Sequence, residues 1–589
     1  MPFELFSHGN IFGYNADLND LDGEDEIDQT DATPGADANP TPGADANPTP
    51  DDGLRFNYYQ DVYRQFRGIH ATYIGERTNR PPGDLHVGII GAGMAGLFSA
   101  LILKTAGIHV TVFEVNDRVG GRVNTHYFPS EETQKWQYGE FGAMRLPYKN
   151  AEHELVFKVI DYLNKLNKKD HPDRLIDLVE FIMTCDNGFT FYNNKMLTNK
   201  EADDSPDRIG FPSGVLNLWN RAIAIFIKRL QVNFNLGLWF LKKFDSYSVR
   251  GFLAAPPFSF LKKISQEWIS YIETYYSATG LFRLAFVEAV IDAYTFSATK
   301  WKTIVGGMQR LPDAFRPFLG NNIKYRHSVQ KLEVLPENKV GITYTTIQDN
   351  QRQFPPLNGG QTNTESFDHV IVTCPLGVVR RWDLPEFSLQ KRTAIRCLNY
   401  DNSTKVFLQF RTRFWENGTN PIEGGSSNTD LPIRTIVYPS YGIHSGEPGV
   451  LLVSYTWAND AARYGANSDE DIAELALRDV VKIHRDARSE YTGRYGVHYW
   501  STDPISGGGA FALFEPGQFT TWMPHIKKPE FNIHFAGEHT DVHHAWIVGA
   551  LNSALFTTCN IMVKEGLGEL FRKVTEPFTN KYNVPDEYL

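Results

Sequence analysis

The sequence predicts an α/β fold, and three observations predict it. An apolar run at residues 86–90 leads into Gly91-Ala-Gly-Met-Ala-Gly96, a helix-like stretch at 97–104 and a second strand-like run at 110–115. Residues 150–300 are instead dominated by long stretches at helical spacing, such as 218–232 and 268–296. Strand-like runs return at 340–346, 369–373, 405–410 and 450–457. The expected architecture is a Rossmann-type βαβ unit, a helical insertion and a mixed-sheet domain.

The glycine turn is justified by its setting. The spacing Gly91-x-Gly93-x-x-Gly96 recurs by chance, but here a strand precedes it, a helix follows, and Glu114 ends the second strand 23 residues after Gly91. Gly91 permits the tight turn, Gly93 lets a pyrophosphate approach the backbone, and Gly96 lets helix and strand pack closely. Phosphates then sit on the helix N-terminus, where free N–H groups and the dipole favour negative charge.

The 589 residues correspond to roughly three to four domain-sized units, or one interleaved globule. With 42% hydrophobic and 22% charged residues, a fibrous or wholly disordered chain is excluded. The net charge of -11 is concentrated at one end, because residues 1–53 hold 13 acids and no Lys or Arg. The other 536 residues carry 56 acids against 58 bases, which gives nucleic-acid binding no support. Residues 34–49 are two copies of Pro-Gly-Ala-Asp-Ala-Asn-Pro-Thr, read as a disordered or extended linker, with order beginning near residue 54.

Cys185, Cys374, Cys397 and Cys559 form no CxxC pair or zinc spacing, and His543-His544 lacks further ligands, so no metal is expected. A hydrolase lacks its Gly-x-Ser-x-Gly elbow. No secretory leader is visible, and the uncharged run 87–103 is shorter than a membrane span, so the expectation is a soluble protein without membrane association. A cytoplasmic location is compatible, and no compartment is assigned.

NAD and FAD share the glycine fingerprint, and the next segment separates them. Glu114 followed by Arg118-Val-Gly-Gly121-Arg122 resembles the second flavin-binding element of the FAD-dependent amine oxidase superfamily. Ile304-Val-Gly-Gly-Met-Gln-Arg-Leu-Pro312, Lys405 in Ser-Thr-Lys-Val-Phe-Leu, and Phe535-Ala-Gly-Glu538 with Ala545-Trp546-Ile547 resemble its later elements, in family order across residues 86–560. The resemblance implies FAD held by Gly91, Gly93, Ala95, Gly96, Glu114, Arg118, Gly121, Arg122, Gly142, Met144, Arg145, Val329, Trp500, Gly537, Glu538, Trp546 and Ile547. Lys405 matches the lysine that holds a water near flavin N5. Monoamine oxidases carry a flavin-linked cysteine after Ser-Gly-Gly, whereas Ser506-Gly-Gly is followed here by Gly509, so FAD is expected without a covalent link.

Glu140-Phe-Gly-Ala-Met-Arg145-Leu-Pro is similar to the L-amino acid oxidase version of this fold, in which the arginine pairs with the substrate α-carboxylate. A planar guanidinium suits that task, having two parallel donors. The alternatives for Arg145 are a structural ion pair or a contact with FAD. Tyr455 resembles the carboxylate-binding tyrosine, with a core tyrosine as the alternative, and the Ala545 carbonyl beside Trp546 would accept from the amino group. The implied catalytic set is Lys405, Arg145, Tyr455 and Trp546.

The implied reaction turns an L-amino acid and dioxygen into a 2-oxo acid, ammonia and hydrogen peroxide, with hydride passing from Cα to flavin N5. An amine or polyamine oxidase and a decarboxylating amino-acid monooxygenase are the alternatives on this scaffold, and a non-catalytic flavoprotein is the one from another class. A homo-oligomer, dimer or larger, is implied as well. The domain expectation is a tail at 1–53, an FAD domain at 54–150, 300–385 and 530–565, a helical domain at 151–299, a substrate domain at 386–529 and a C-terminal tail at 566–589. Aromatics at 234–260 line an entrance or belong to the core.

Overall fold

The computed structural model describes residues 80–212, 214–276, 278–347 and 362–579. The acidic tail, its octapeptide repeat and the expected start of order near residue 54 lie outside the described residues.

Strand β1 (His86–Ile90) runs into helix α1 (Met94–Thr105) and strand β2 (His109–Phe113), as the glycine turn requires. β1 is buried along most of its length, which suits a central parallel strand covered on both faces. A two-stranded ribbon follows, β3 (Thr125–Tyr127) paired antiparallel with β4 (Tyr138–Glu140). Helix α2 (Asn217–Val232) buries Trp219, Ala222, Ile223, Phe226 and Leu230, one stripe at helical spacing. Helices α3 (Phe234–Lys242) and α4 (Phe286–Phe296) extend this layer.

Strands β5 (Ile323–Lys324) and β6 (His369–Val372) return to the first sheet. Two long strands, β7 (Ser403–Phe410) and β8 (Gly449–Trp457), pair antiparallel as the second and third strands of a seven-stranded sheet. Strand β9 (Ile533–Phe535) and helices α5 (Ile547–Lys564) and α6 (Gly568–Thr575) close the chain. The parallel sheet has the order β5-β2-β1-β6-β9, so three far-apart stretches of chain meet in it. Helix α5 is long and apolar enough to cross a membrane, but it is packed inside the protein as a core helix.

Three features differ from the sequence expectation. The 151–299 stretch is not wholly helical, since Leu178–Glu180, Phe189–Tyr192 and Lys195–Thr198 are strands. The last two form a hairpin at one edge of the seven-stranded sheet, turning at Asn193 and Asn194 with φ of 54° and 58°. An Asn-Asn pair between short apolar runs is a hairpin signal that the helical periodicity around it obscures. The stretch 268–296 is two helices, Gln266–Tyr276 and α4, separated near Gly280, where φ is 93°.

The stretch after residue 565 is not a simple tail. Helix α6 docks on the first domain, burying Phe571, and Phe578 meets Phe98 of α1 edge-on at 5.0 Å. The aromatics at 234–260 fall mostly in the core, where Phe240, Phe244, Phe252 and Phe258 ring Phe226. Leu236, Trp239 and Phe260 remain exposed.

Gly96 shows why the turn needs glycine twice over. Gly91 adopts φ 102°, and a Cβ on Gly96 would overlap the Gly91 carbonyl oxygen. Gly96→Val is expected to separate α1 from β1, with loss of soluble folded protein or a fall in stability of several kcal/mol. Thermal melting checks this, and a melting temperature equal to the parent's would contradict the packing argument.

Candidate cofactor and substrate site

Strand ends and helix starts from both domains enclose one cavity of about 980 Å³. At its first end, Gly91, Gly93 and Ala95 lie at the N-terminus of α1. A Cβ on Gly93 would meet open space, so the backbone there faces the cavity directly. Glu114, at the end of β2, accepts from the amides of Ala92 at 2.7 Å and Asn116 at 2.9 Å, so its carboxylate is fixed beside the glycine turn. Burial pushes its pKa up, against those two amides. Val329 and Ser328 line the same end from the strand His327–Val334.

The Arg118–Arg122 loop is folded back on itself. Arg118 donates to the Gly121 carbonyl at 2.8 Å, while Gly120 and Gly121 take φ of 113° and 56°. Arg122 crosses to Glu538 at 2.7 Å and to the Ala510 carbonyl at 3.2 Å. Glu538 is buried, and it also accepts from the amides of Ala512 at 3.1 Å and Ala545 at 3.0 Å. Burial alone would raise its pKa, but Arg122 and then His544 outweigh that and hold it at about 2. One carboxylate therefore ties together the arginine loop, the end of the second domain and the Ala545-Trp546 turn.

Ala545 has φ 65°, a left-handed conformation costing a non-glycine residue about 1–2 kcal/mol. Its amide is held by Glu538, and Trp546 begins the helical stretch behind it. His543 is paired with Asp541 at 2.8 Å and His544 with Glu288 at 2.8 Å, so both histidines brace this turn. The Trp500 indole N–H donates to the Phe141 carbonyl at 2.9 Å, fixing the ring on another wall.

Lys405 on β7 faces Tyr455 on β8 across the ladder, with its ammonium 4.5 Å from the tyrosine ring centre. It donates to the carbonyls of Glu140 at 3.0 Å and Gly142 at 2.7 Å, and lies 3.6 Å from the Met144 sulfur. The Glu140 carboxyl is buried, and burial raises its pKa to about 7, although the amide of Met308 and the Thr125 hydroxyl both donate to it. A Cβ on Gly142 would overlap the Arg122 carbonyl, which explains glycine there.

The cavity brings together Gly91, Gly93, Ala95, Glu114, Arg118, Gly121, Arg122, Gly142, Val329, Lys405, Tyr455, Trp500, Gly537, Glu538, Ala545, Trp546 and Ile547. Gly96, Met144 and Arg145 lie outside its lining. Gly96 sits at the helix–strand contact, and Met144 lies behind Lys405. The Arg145 guanidinium is buried in an aromatic box, 5.6 Å from Phe181, 5.1 Å from Phe296 and 5.9 Å from Trp301. Phe296 and Trp301 both touch Trp546, so Arg145 is one ring removed from the cavity wall.

Several lining residues escaped the sequence reading, among them Cys374, Arg381, Ser403 and Asp503. Cys374 and Arg381 follow β6, and the loops after parallel strands are where such sites gather, so the strand at 369–373 carried the missing signal. Burial pushes the Cys374 thiol well up, which keeps it a thiol in the cavity wall. Asp503 comes from an irregular stretch with no comparable signal.

Residues 94–562 match the family model of the flavin containing amine oxidoreductases. The chain belongs to that family. As such a flavoenzyme it uses FAD, and its cavity fits the group, with open backbone at Gly93, a helix N-terminus for phosphates and an acid at the end of β2. The flavoenzyme is 33% identical over 497 residues to an L-amino-acid oxidase of Siganus canaliculatus, covering 82% of this chain and 87% of that one. It is 31% identical over 560 residues to L-amino-acid oxidase 4 of Hebeloma cylindrosporum, covering 85% and 86%. A putative bifunctional amine oxidase of Dictyostelium discoideum is 35% identical over 550 residues, and the match spans about half of that longer protein, 49%. Among solved structures, a putrescine oxidase variant superposes with a TM-score of 0.61 at 16% identity, covering 81% of this chain and 99% of its own. Cyclohexylamine oxidase from Brevibacterium oxydans gives 0.60 at 16%, covering 82% and 99%. These last two establish a shared fold.

Proposed function

We propose that this flavoenzyme is an L-amino acid oxidase, releasing 2-oxo acid, ammonia and hydrogen peroxide. The observation that carries the reading is the wall on which Lys405 and Tyr455 face each other, in one cavity with the Ala545-Trp546 turn. FAD held by the Gly91–Gly93 turn, Glu114 and the Arg118–Arg122 loop would supply the acceptor for a hydride from the substrate Cα and the electrons for dioxygen.

The chain's own residues bind, orient and shield. The Tyr455 hydroxyl takes the substrate carboxylate, joined by the Arg145 guanidinium once the Trp546 wall admits it, and the Ala545 carbonyl accepts from the amino group, its strained backbone held by Glu538. The rings of Trp546 and Trp500 exclude water from the reacting carbon. The FAD is held without a covalent link, because Gly509 stands where a thiol would be needed. The working unit is a homo-oligomer, which sedimentation of the purified protein tests.

Lys405 is a fixed cation, anchored by two carbonyls, in the position to favour an anionic oxygen species. Lys405→Met is expected to slow flavin reoxidation by at least tenfold while slowing reduction less. Stopped-flow mixing of the reduced enzyme with oxygen reads this directly, and an unchanged rate would remove Lys405 from the oxygen step.

The placement of Arg145 outside the lining favours a second reading, an amine oxidase with no carboxylate clamp. The deciding test is peroxide release from the yellow protein, offered L-amino acids in one set of wells and their decarboxylated amines in another. Peroxide from the acids supports the proposal. Peroxide from the amines alone overturns it in favour of the second reading.

A further inference from the structure

The helical layer carries an exposed face unlike the rest of the surface. Val232, Leu236, Trp239 and Phe260 are each 60–65% exposed, all within 29 residues of chain. Leu236 and Trp239 lie on α3 and Val232 ends α2 just before it, and ring contacts link Phe260 to α3. Phe260 stacks on Phe258 at 5.2 Å, Phe258 meets Phe244 at 5.4 Å, and Phe244 meets Phe240 of α3 at 5.4 Å. The Lys243 ammonium lies 3.9 Å above the Trp239 ring.

Around these rings Lys228, Arg229, Lys262 and Lys263 are exposed as well. Between residues 221 and 270 the one exposed acid is Glu267, and its carboxylate accepts from the Tyr271 hydroxyl. Such contiguous apolar area is uncommon on a finished surface and marks a contact site. No described residue covers it.

We propose that this face is the docking surface for the chain's own residues 1–53. That segment has the complementary chemistry, with 13 acids, no Lys or Arg, and Phe3, Phe6, Phe12 and Tyr14 among them. It meets a concentrated basic face on a body that is otherwise close to neutral. The 26 residues from 54 to 79 reach about 85 Å when extended. A globule of some 500 residues has a radius of gyration of only about 23 Å, so the segment can reach any face. Tethering supplies a millimolar effective concentration, on the order that a modest electrostatic and aromatic contact needs. Charge pairing at this distance from the core is screened by salt.

The test is zero-length carboxyl-to-amine cross-linking of the full-length holoenzyme at low protein concentration, followed by peptide mass spectrometry of the monomer band. Cross-links from acids in 1–53 to Lys228, Lys243, Lys262 and Lys263 are expected. They should fall at least tenfold in 1 M salt and in a Lys243→Glu/Lys262→Glu/Lys263→Glu variant whose flavin spectrum matches the parent. Cross-links spread evenly over lysines elsewhere, or none at all, would overturn the proposal. Cross-links confined to a dimer band would overturn it in favour of a second copy. Co-sedimentation with phosphatidylserine vesicles that the triple variant abolishes, without intramolecular cross-links, would assign the face to a membrane.

Discussion

Glu538→Ala is expected to yield protein largely stripped of flavin and markedly less stable. The change leaves the half-buried Arg122 without its carboxylate partner, at a cost below the about 3–5 kcal/mol of a fully buried pair. It also removes the acceptor for the Ala512 and Ala545 amides, at about 1–3 kcal/mol for each left unsatisfied. The Ala545 turn then loses the bond that holds its left-handed backbone. The ratio of flavin absorbance to protein and the melting temperature check this, and full occupancy with an unchanged melting temperature would show that the carboxylate is dispensable.

The same residue sets an acid limit. Its pKa is lowered from about 4.5 to about 2 in the folded protein, so its stabilisation is complete above pH 4.5 and lost as pH falls toward 2. The amount is on the order of 3 kcal/mol, at 1.36 kcal/mol per pH unit. Glu538→Gln should flatten this part of the acid limb in a melting-temperature series across that window.

Arg145→Ala is expected to raise KM for L-amino acids about a hundredfold, with a smaller change in kcat, because a carboxylate would enter the site without its bidentate partner. The residue also fills an aromatic box, so packing must be separated from charge. Arg145→Met keeps most of the volume, and Arg145→Lys keeps the charge without the fork. If Arg145 clamps the carboxylate, both raise KM for the acids and leave any activity toward the decarboxylated amines. Stopped-flow reduction that saturates as in the parent enzyme would reject the clamp.

The cofactor end of the site was legible because its requirements are local. Gly91, Gly93 and Gly96 are dictated by a turn, an approach and a packing contact within six residues, and Glu114 by the length of one βαβ unit. Lys405 and Tyr455 were legible only as motif matches. Their meeting depends on the register of two strands, which pairs these residues across the ladder. The Asn193-Asn194 hairpin was missed because its strands are short and lie amid helical periodicity.

The sequence by itself determined the parallel-sheet unit, the flavin fingerprint, the charge asymmetry between residues 1–53 and the rest, and the order of the later motifs. These rest on side-chain type and spacing along the chain. Only the tertiary structure decided that Glu538 is the partner of Arg122, that Arg145 sits in an aromatic box behind Trp546, and that α5 is a core helix. The reason is physical: the energy of a buried charge depends on which groups the fold sets around it, and those groups are hundreds of residues away in sequence.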